Sequence, residues 1–319
     1  MSRYFLTFFY LSYYCHILCF LTQKAEVYYN IFTFVKRVIY NMKINAYAKI
    51  NLMLDITGKR SDGYHNVDMI MQTVTLCDVI TLEKTFSAVE LSGTGELSYD
   101  KSNLVYKAAR LFFDASGMRG GARIHVLKRI PMCAGMAGGS ADAAAVMCGL
   151  NILYGKPFSK KALAKLGARL GADVPYCIYG GTARATGIGD ILNPIAPLPQ
   201  KRILVVKPPI AVSTPEAYAG LNLDSMEHPD TSAAADAIER GDMSELYRLM
   251  GNSFEYSIFK KYPEIADIKN KLCALGADAS LMSGSGSAVF GIFEDEVLAQ
   301  AAYCEFKDKY KDVFLAHTI

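Results

Sequence analysis

Two small-residue runs, one lysine and one aspartate are the parts of this sequence with chemistry to offer. Pro131, Met132, Cys133, Ala134, Gly135, Met136, Ala137, Gly138, Gly139, Ser140 and Ala141 form the first run, and an alanine-rich stretch follows it. Glycines let a ligand touch bare backbone, and the free N–H groups and dipole of a helix start favour an anion, so the run reads as a phosphate cradle. A tight turn ahead of a closely packed small-residue helix would use the same residues. No Gly-Lys-Ser or Gly-Lys-Thr follows the glycines, which excludes a Walker A loop, and the G-x-G-x-x-G spacing of dinucleotide folds is absent. Gly284, Ser285 and Gly286 lie in the second run, directly before the apolar stretch Ala288 to Phe293. Their amides could complete a wall of the same site, although turn chemistry alone would also account for them.

Charge and ring systems surround these loops in the sequence. From Ile44 to Ile56 apolar residues take every second position, which places Lys49 and Asn51 together on the opposite face. They either point jointly into a cleft or form the solvated side of an edge strand. Asp173 stands in Gly171-Ala-Asp-Val-Pro175, where Pro175 suits the first turn of a helix and Asp173 falls at or near its N-cap. Asp62-Gly63 is a turn pair that presents Tyr64 and His65, a phenol and an imidazole able to stack on and hydrogen-bond a planar ligand, or to close a hairpin. Thr214 and Tyr218 belong to a helix start opened by Ser213 and Pro215.

The elements that must position these groups are legible in outline. Ala122 to Ile130 alternates as a strand should, so the first glycine run sits between strand and helix. We expect helices at 103–113 (capped by Ser102), 141–154, 160–170 (closed by Gly171 in a left-handed cap), 232–239, 243–249, 263–275 and 294–310. Strands are expected at 43–57, 67–82, 91–98 and 202–207, with a turn and glycine-bearing hairpin over 176–189. Pro194, Pro197 and Pro199 mark a break, dividing the chain into 42–198 and 199–319.

Composition limits the class of partner. The apolar content of 51% and charged content of 20% are those of a globular enzyme. Residues 1–41 hold Arg3, Lys24, Lys36 and Arg37 against Glu26 alone, which is the whole net charge of +3, so nothing in the body favours nucleic acid or an anionic membrane. The apolar stretch from Tyr4 to Leu21 approaches the length of a membrane span, but Thr7, Ser12, His16 and several tyrosines interrupt it and no small-residue cleavage site follows. We expect translation to begin at Met42 and no membrane association. The six cysteines after that point include no C-x-x-C pair, which favours free thiols and a cytoplasmic location over a metal or disulfide site.

The order of the Lys49 strand, the glycine loop at Pro131 and the late loop Ser283 to Ser287 resembles the GHMP kinase superfamily. Within it, Ala48-Lys-Ile-Asn-Leu52, Gly58-Lys-Arg-Ser-Asp-Gly-Tyr-His65 and Leu170-Gly-Ala-Asp-Val-Pro175 are similar to the branch acting on 4-diphosphocytidyl-2-C-methyl-D-erythritol. The resemblance covers the chain from Met42 onward. It implies an α+β protein, with an N-terminal domain of the ribosomal protein S5 domain 2 type, a C-terminal α/β domain and the active site in the cleft between them. It further implies an ATP-dependent kinase using Mg²⁺ and a small-molecule substrate of the non-mevalonate isoprenoid route. Asp173 would be the base or the acceptor that orients the hydroxyl, and Lys49 would stabilise the transferring phosphoryl group. Pro131 to Ala141 would cradle the triphosphate, with Ser140 as a phosphate or Mg²⁺ contact and Asn103 near adenine. Tyr64 and Tyr218 would sandwich the cytosine, His65 would bind its edge, and Asn51 and Thr214 would complete the substrate site. Other small-molecule kinases of the superfamily, and a non-catalytic nucleotide binder on the same fold, are the alternatives. The loop departs from the usual Gly-Leu-Gly-Gly-Gly-Ser at Met136 and Ala137, and an alanine at the second position needs a backbone angle that a Cβ tolerates.

Overall fold

The computed structural model describes residues 41–95, 97–221 and 226–319. The segment before residue 41, to which the expected start at Met42 refers, lies outside the described residues. Two long alternating strands build the larger sheet: β1 (Asn41–Lys59) pairs antiparallel with β2 (His65–Thr85) along their length. The first half of β2 also pairs with β5 (Thr182–Thr186), and its second half with β4 (Gly121–Leu127). β3 (Val89–Gly93) lies parallel to β4, β6 (Ile191–Pro194) extends β5, and β8 (Gly251–Asn252) runs parallel to β1. A smaller antiparallel sheet has the order β11 (Asp312–His317), β7 (Arg202–Lys207), β10 (Val289–Phe293), β9 (Ala279–Met282).

The sheets are bonded into one another. β8 brings a piece of the C-terminal half onto β1, and the chain end returns to β2, where Ile319 N donates to Thr73 O at 3.0 Å and Gln72 Nε2 donates to Ile319 O at 2.8 Å. Helices α1 (Leu104–Ser116), α2 (Gly138–Leu153), α3 (Lys160–Gly167) and α4 (Asp173–Tyr179) group with the larger sheet, with α2 directly on β1 and β2. Small residues are what let α2 approach: a Cβ on Gly149 would stand 2.2 Å from Leu82 Cδ1 and 2.6 Å from Ile44 Cδ1. Close packing therefore explains the body of this helix and leaves its N-terminal residues, as far as Asp142, facing the cavity described below. Among the described residues no helix is long and apolar enough to cross a membrane.

Several local expectations change. Asn103, not Ser102, caps α1, because its Oδ1 accepts from Val105 N at 2.9 Å. Gly171 takes no left-handed cap: α3 ends at Gly167 and successive short-range bonds at Arg169 and Leu170 tighten the exit before α4 begins. Tyr176 to Tyr179 are helical rather than part of a hairpin. The helix α8 (Glu255–Lys261) and strand β8 have no counterpart in the sequence reading.

Candidate active site

Lys49 and Asn51 are brought into the protein by irregularities in their own strand. The β1–β2 register slips between Tyr47 and Lys49 and again between Asn51 and Met53, and such bulges re-aim the side chains beside them. The two side chains are only 5% and 0% exposed, so the solvated-edge alternative fails. Lys49 Nζ donates to Asn51 Oδ1 at 2.5 Å, and Asn51 Nδ2 donates to Met69 Sδ at 3.3 Å. Burial pulls the Lys49 pKa below its ordinary value, while the Asp173 carboxylate and then Cys177 pull it back up.

Asp173 is the first residue of α4 rather than its cap. Ala172 holds the cap position in helical geometry, φ −61° and ψ −35°, with no side-chain cap bond. The Asp173 carboxylate is thus left for the cavity, at a helix start whose dipole favours a negative charge. Its charge reaches its neighbours: after burial, Asp173 is the next cause raising both the Cys177 thiol and the Tyr218 phenol.

A cavity of about 800 Å³ collects these groups with both glycine loops. The loops meet backbone to backbone. A Cβ on Gly135 would lie 1.8 Å from Ser283 O, and one on Gly284 would lie 2.9 Å from Gly135 O. Ser283 Oγ donates to Gly135 O at 3.0 Å and Ser287 N to Cys133 O at 3.3 Å, while Lys49 N donates to Met136 O at 3.2 Å and ties the first loop to β1. At Gly139 a Cβ would meet nothing within 4 Å, so this glycine offers open backbone to the cavity. Ala137 does adopt the left-handed conformation, φ 55° and ψ 28°, and Cys133 joins it at φ 51°. Every residue from Pro131 to Ser140 lines the cavity, and buried Ala141 does not.

Past the loop the cavity is walled by Asn103, whose amide is already engaged, since its Nδ2 donates to Ser98 O at 2.8 Å while its Oδ1 caps α1. Lys128 and Asp142 also line it and were not singled out in the sequence. Lys128 Nζ lies 2.5 Å from Asp78 Oδ2 and 2.9 Å from Asp142 Oδ2. Asp78 is further satisfied by the amides of Arg129 and Ile130, whereas Asp142 Oδ1 is buried without a partner among the described residues. An acid among the alanines of α2 was the available signal.

The opposite end carries the ring systems. Tyr218, on α5 (Thr214–Ala219), stacks on His65 with ring centroids 4.7 Å apart and meets Phe254 edge-on at 5.0 Å. Thr214 Oγ1 stands 3.4 Å from Ser285 Oγ, joining this helix to the second glycine loop. Thr214 and Tyr218 line the cavity, while Tyr64 and His65 do not. Tyr64 is turned outward and 61% exposed, its N donating to Asp62 Oδ1 at 3.1 Å within the turn, so that of these two neighbours it is His65 that reaches the Tyr218 ring. Burial, then Lys59, lowers the His65 pKa, which favours a neutral imidazole.

This chain matches the family models for the GHMP kinases N terminal domain over residues 103–181 and the GHMP kinases C terminal over residues 234–312. It is 43% identical over 280 residues to 4-diphosphocytidyl-2-C-methyl-D-erythritol kinase of Clostridium kluyveri (strain ATCC 8527 / DSM 555 / NBRC 12016 / NCIMB 10680 / K1), covering 87% of this chain and 100% of that protein. The Geobacillus kaustophilus (strain HTA426) kinase of the same name is 45% identical over 265 residues, 82% and 91% of the two chains. A crystal structure of 4-(cytidine 5'-diphospho)-2C-methyl-D-erythritol kinase superposes with a TM-score of 0.75 at 35% identity, covering 87% of this chain and 99% of that one. Homoserine kinase from Cytophaga hutchinsonii ATCC 33406 shares the fold, with a TM-score of 0.68 at 20% identity over 86% and 94% of the chains. With the two glycine loops, Lys49 and Asp173 gathered at one cavity and relatives this similar along nearly their whole length, the chain belongs to the GHMP kinase family, in the branch of the 4-diphosphocytidyl-2-C-methyl-D-erythritol kinases.

Proposed function

We propose that the protein transfers the γ-phosphoryl group of ATP to the 2-hydroxyl of 4-diphosphocytidyl-2-C-methyl-D-erythritol, giving the 2-phosphate and ADP. The observation that carries this reading is the convergence of Lys49, Asp173, both glycine loops and Tyr218 on one cavity from five separate parts of the chain. Phosphoryl transfer needs positioning and charge neutralisation more than covalent chemistry from the protein. Asp173 accepts the hydrogen bond of the acceptor hydroxyl and aims its oxygen at the phosphorus. As the new O–P bond forms and the bond to ADP breaks, the hydroxyl proton leaves late, toward Asp173. Lys49, held by Asn51 and with the nearby carboxylate opposing the effect of burial on its charge, stabilises charge on the transferring group.

The nucleotide phosphates lie along Pro131 to Ser140, where Gly139 leaves its backbone open. Mg²⁺ fits the same place: Ser140 would hold it with phosphate oxygens and water, the ligand set this ion prefers, and it would neutralise charge on the phosphates. The cytosine takes the end marked by Tyr218 and His65, with Tyr64 closing over it from its exposed position. The test is an ADP-release assay with this substrate on wild type and Asp173→Ala. Turnover by the wild type that vanishes in the variant is the expected result; full turnover by the variant would remove Asp173 from the chemistry.

A further inference from the structure

Two side chains that do not line the cavity grip its second wall. Among the described residues β9 is the edge strand of the smaller sheet, so the backbone groups on its open side, and those of the loop that follows, have no strand there to pair with. Asn252, at the end of β8, supplies two of the missing partners: its Nδ2 donates to Met282 O at 2.7 Å and to Gly284 O at 2.8 Å. Its Oδ1 accepts from Phe254 N at 3.0 Å, so all three bonds fix one orientation of the amide. Three residues on, Glu255 Oε1 accepts from Met282 N at 2.8 Å, and its Oε2 pairs with Lys269 Nζ at 2.5 Å. The residue that opens the loop is therefore held at both its N–H and its C=O.

The clamp is anchored to the catalytic strand. β8 pairs with β1 at Met53–Gly251 and Leu54–Asn252, a few residues beyond Lys49 and Asn51. On its other side the clamped loop leans on Gly135 through Gly284 and Ser283. One frame thus runs from the Lys49 strand through Asn252 to the second glycine loop and on to the first. We propose that Asn252 and Glu255 are positioning residues that set the separation of the two glycine loops, and with it the affinity of the phosphate cradle. This rests on the reading of the cavity as a nucleotide site.

The test compares ADP binding by calorimetry, ATP and acceptor KM, and melting temperature for wild type, Asn252→Asp, Asn252→Ala and Glu255→Gln in the full chain. Asn252→Asp keeps the shape but turns a carboxylate oxygen toward two carbonyls, and should weaken ADP binding and raise the ATP KM at least ~10-fold. The acceptor KM should stay within about two-fold of wild type. Asn252→Ala should follow in the same direction, and Glu255→Gln, which keeps an acceptor for Met282 N, should show the smallest change. A folded Asn252 variant that binds ADP as tightly as wild type overturns the proposal. Lower melting temperatures with unchanged ADP affinity, or failure of all three variants to fold, assign the pair a structural role only and also overturn it. Absence of ADP binding by wild type would instead defeat the nucleotide-site reading from which the proposal starts.

Discussion

Replacing Gly135 by alanine tests the contact on which the whole cavity depends. At φ +70° an added Cβ costs about 1–2 kcal/mol in backbone strain. It would also stand 1.8 Å from Ser283 O, a backbone atom that cannot rotate away. Carbon–oxygen contacts settle near 3.3–3.6 Å, so the second loop must retreat by ~1.5 Å. That movement breaks the bonds from Ser283 Oγ to Gly135 O and from Ser287 N to Cys133 O, at about 1 kcal/mol each. The sum, about 3–4 kcal/mol, corresponds to a loss of ~100- to 1000-fold in nucleotide affinity if it falls on the bound arrangement. Calorimetry with ADP reads it directly, with a melting curve to show that the variant is folded. Ala137→Gly is the control two residues away. It relieves about 1–2 kcal/mol of left-handed strain at Ala137 but enlarges the unfolded ensemble by about 0.4–1 kcal/mol, so only about 1 kcal/mol or less remains. Its melting temperature should move by no more than about 2–4 °C. If Gly135→Ala binds ADP within about two-fold of wild type, the loops do not touch in the way described and the reasoning fails.

In the proposed reaction Lys49→Ala removes the charge that faces the transferring phosphoryl group, so kcat should fall by ~10²–10³ while ADP affinity stays near wild type; a larger loss in ADP binding than in kcat would make Lys49 a binding residue instead. Tyr218→Ala removes a stacking surface worth about 1–3 kcal/mol in the proposed complex, so the KM for the cytidyl substrate should rise by ~5- to 150-fold with the ATP KM unchanged. Tyr64→Ala asks whether the exposed ring closes on the base: a raised cytidyl KM supports closure, and an unchanged one leaves the stacking to Tyr218 and His65. Burial pushes the Asp142 carboxyl up to about 8, with Lys128 opposing and Asp78 adding to the rise. Its folded-state value lies above its unfolded one, so the folded protein retains a proton that the unfolded chain releases, and this group's contribution to stability declines as pH rises from about 4 to about 8. Urea unfolding across that range should show Asp142→Asn gaining on wild type with rising pH; a constant difference would mean that Asp142 is ionised throughout.

What the sequence shows of this site is whatever has a short period or a short span. Alternation places Lys49 and Asn51 on one face, Pro175 marks a helix start beside Asp173, and clustered glycines mark both loops, because each of these signals lies within one strand or one turn. Neighbours distant along the chain leave no such trace. Gly135 and Ser283 are in contact across 148 positions, and the need for glycine at 135 comes from a carbonyl in the other loop, not from its own turn alone. The same limit hides Lys128, whose two carboxylate partners lie 50 residues before and 14 after it. Direction is lost as well: Tyr64 and His65 are adjacent, yet one ring faces solvent and the other stacks on Tyr218, a choice made where β2 begins. Asn252 combines both difficulties, since no local signal marks the short strand it ends or the helix that follows, and only the loop 30 residues later shows what its amide holds. Local pattern therefore identifies most of the groups that gather at the cavity, while the residues that fix the distances between those groups emerge only from the fold.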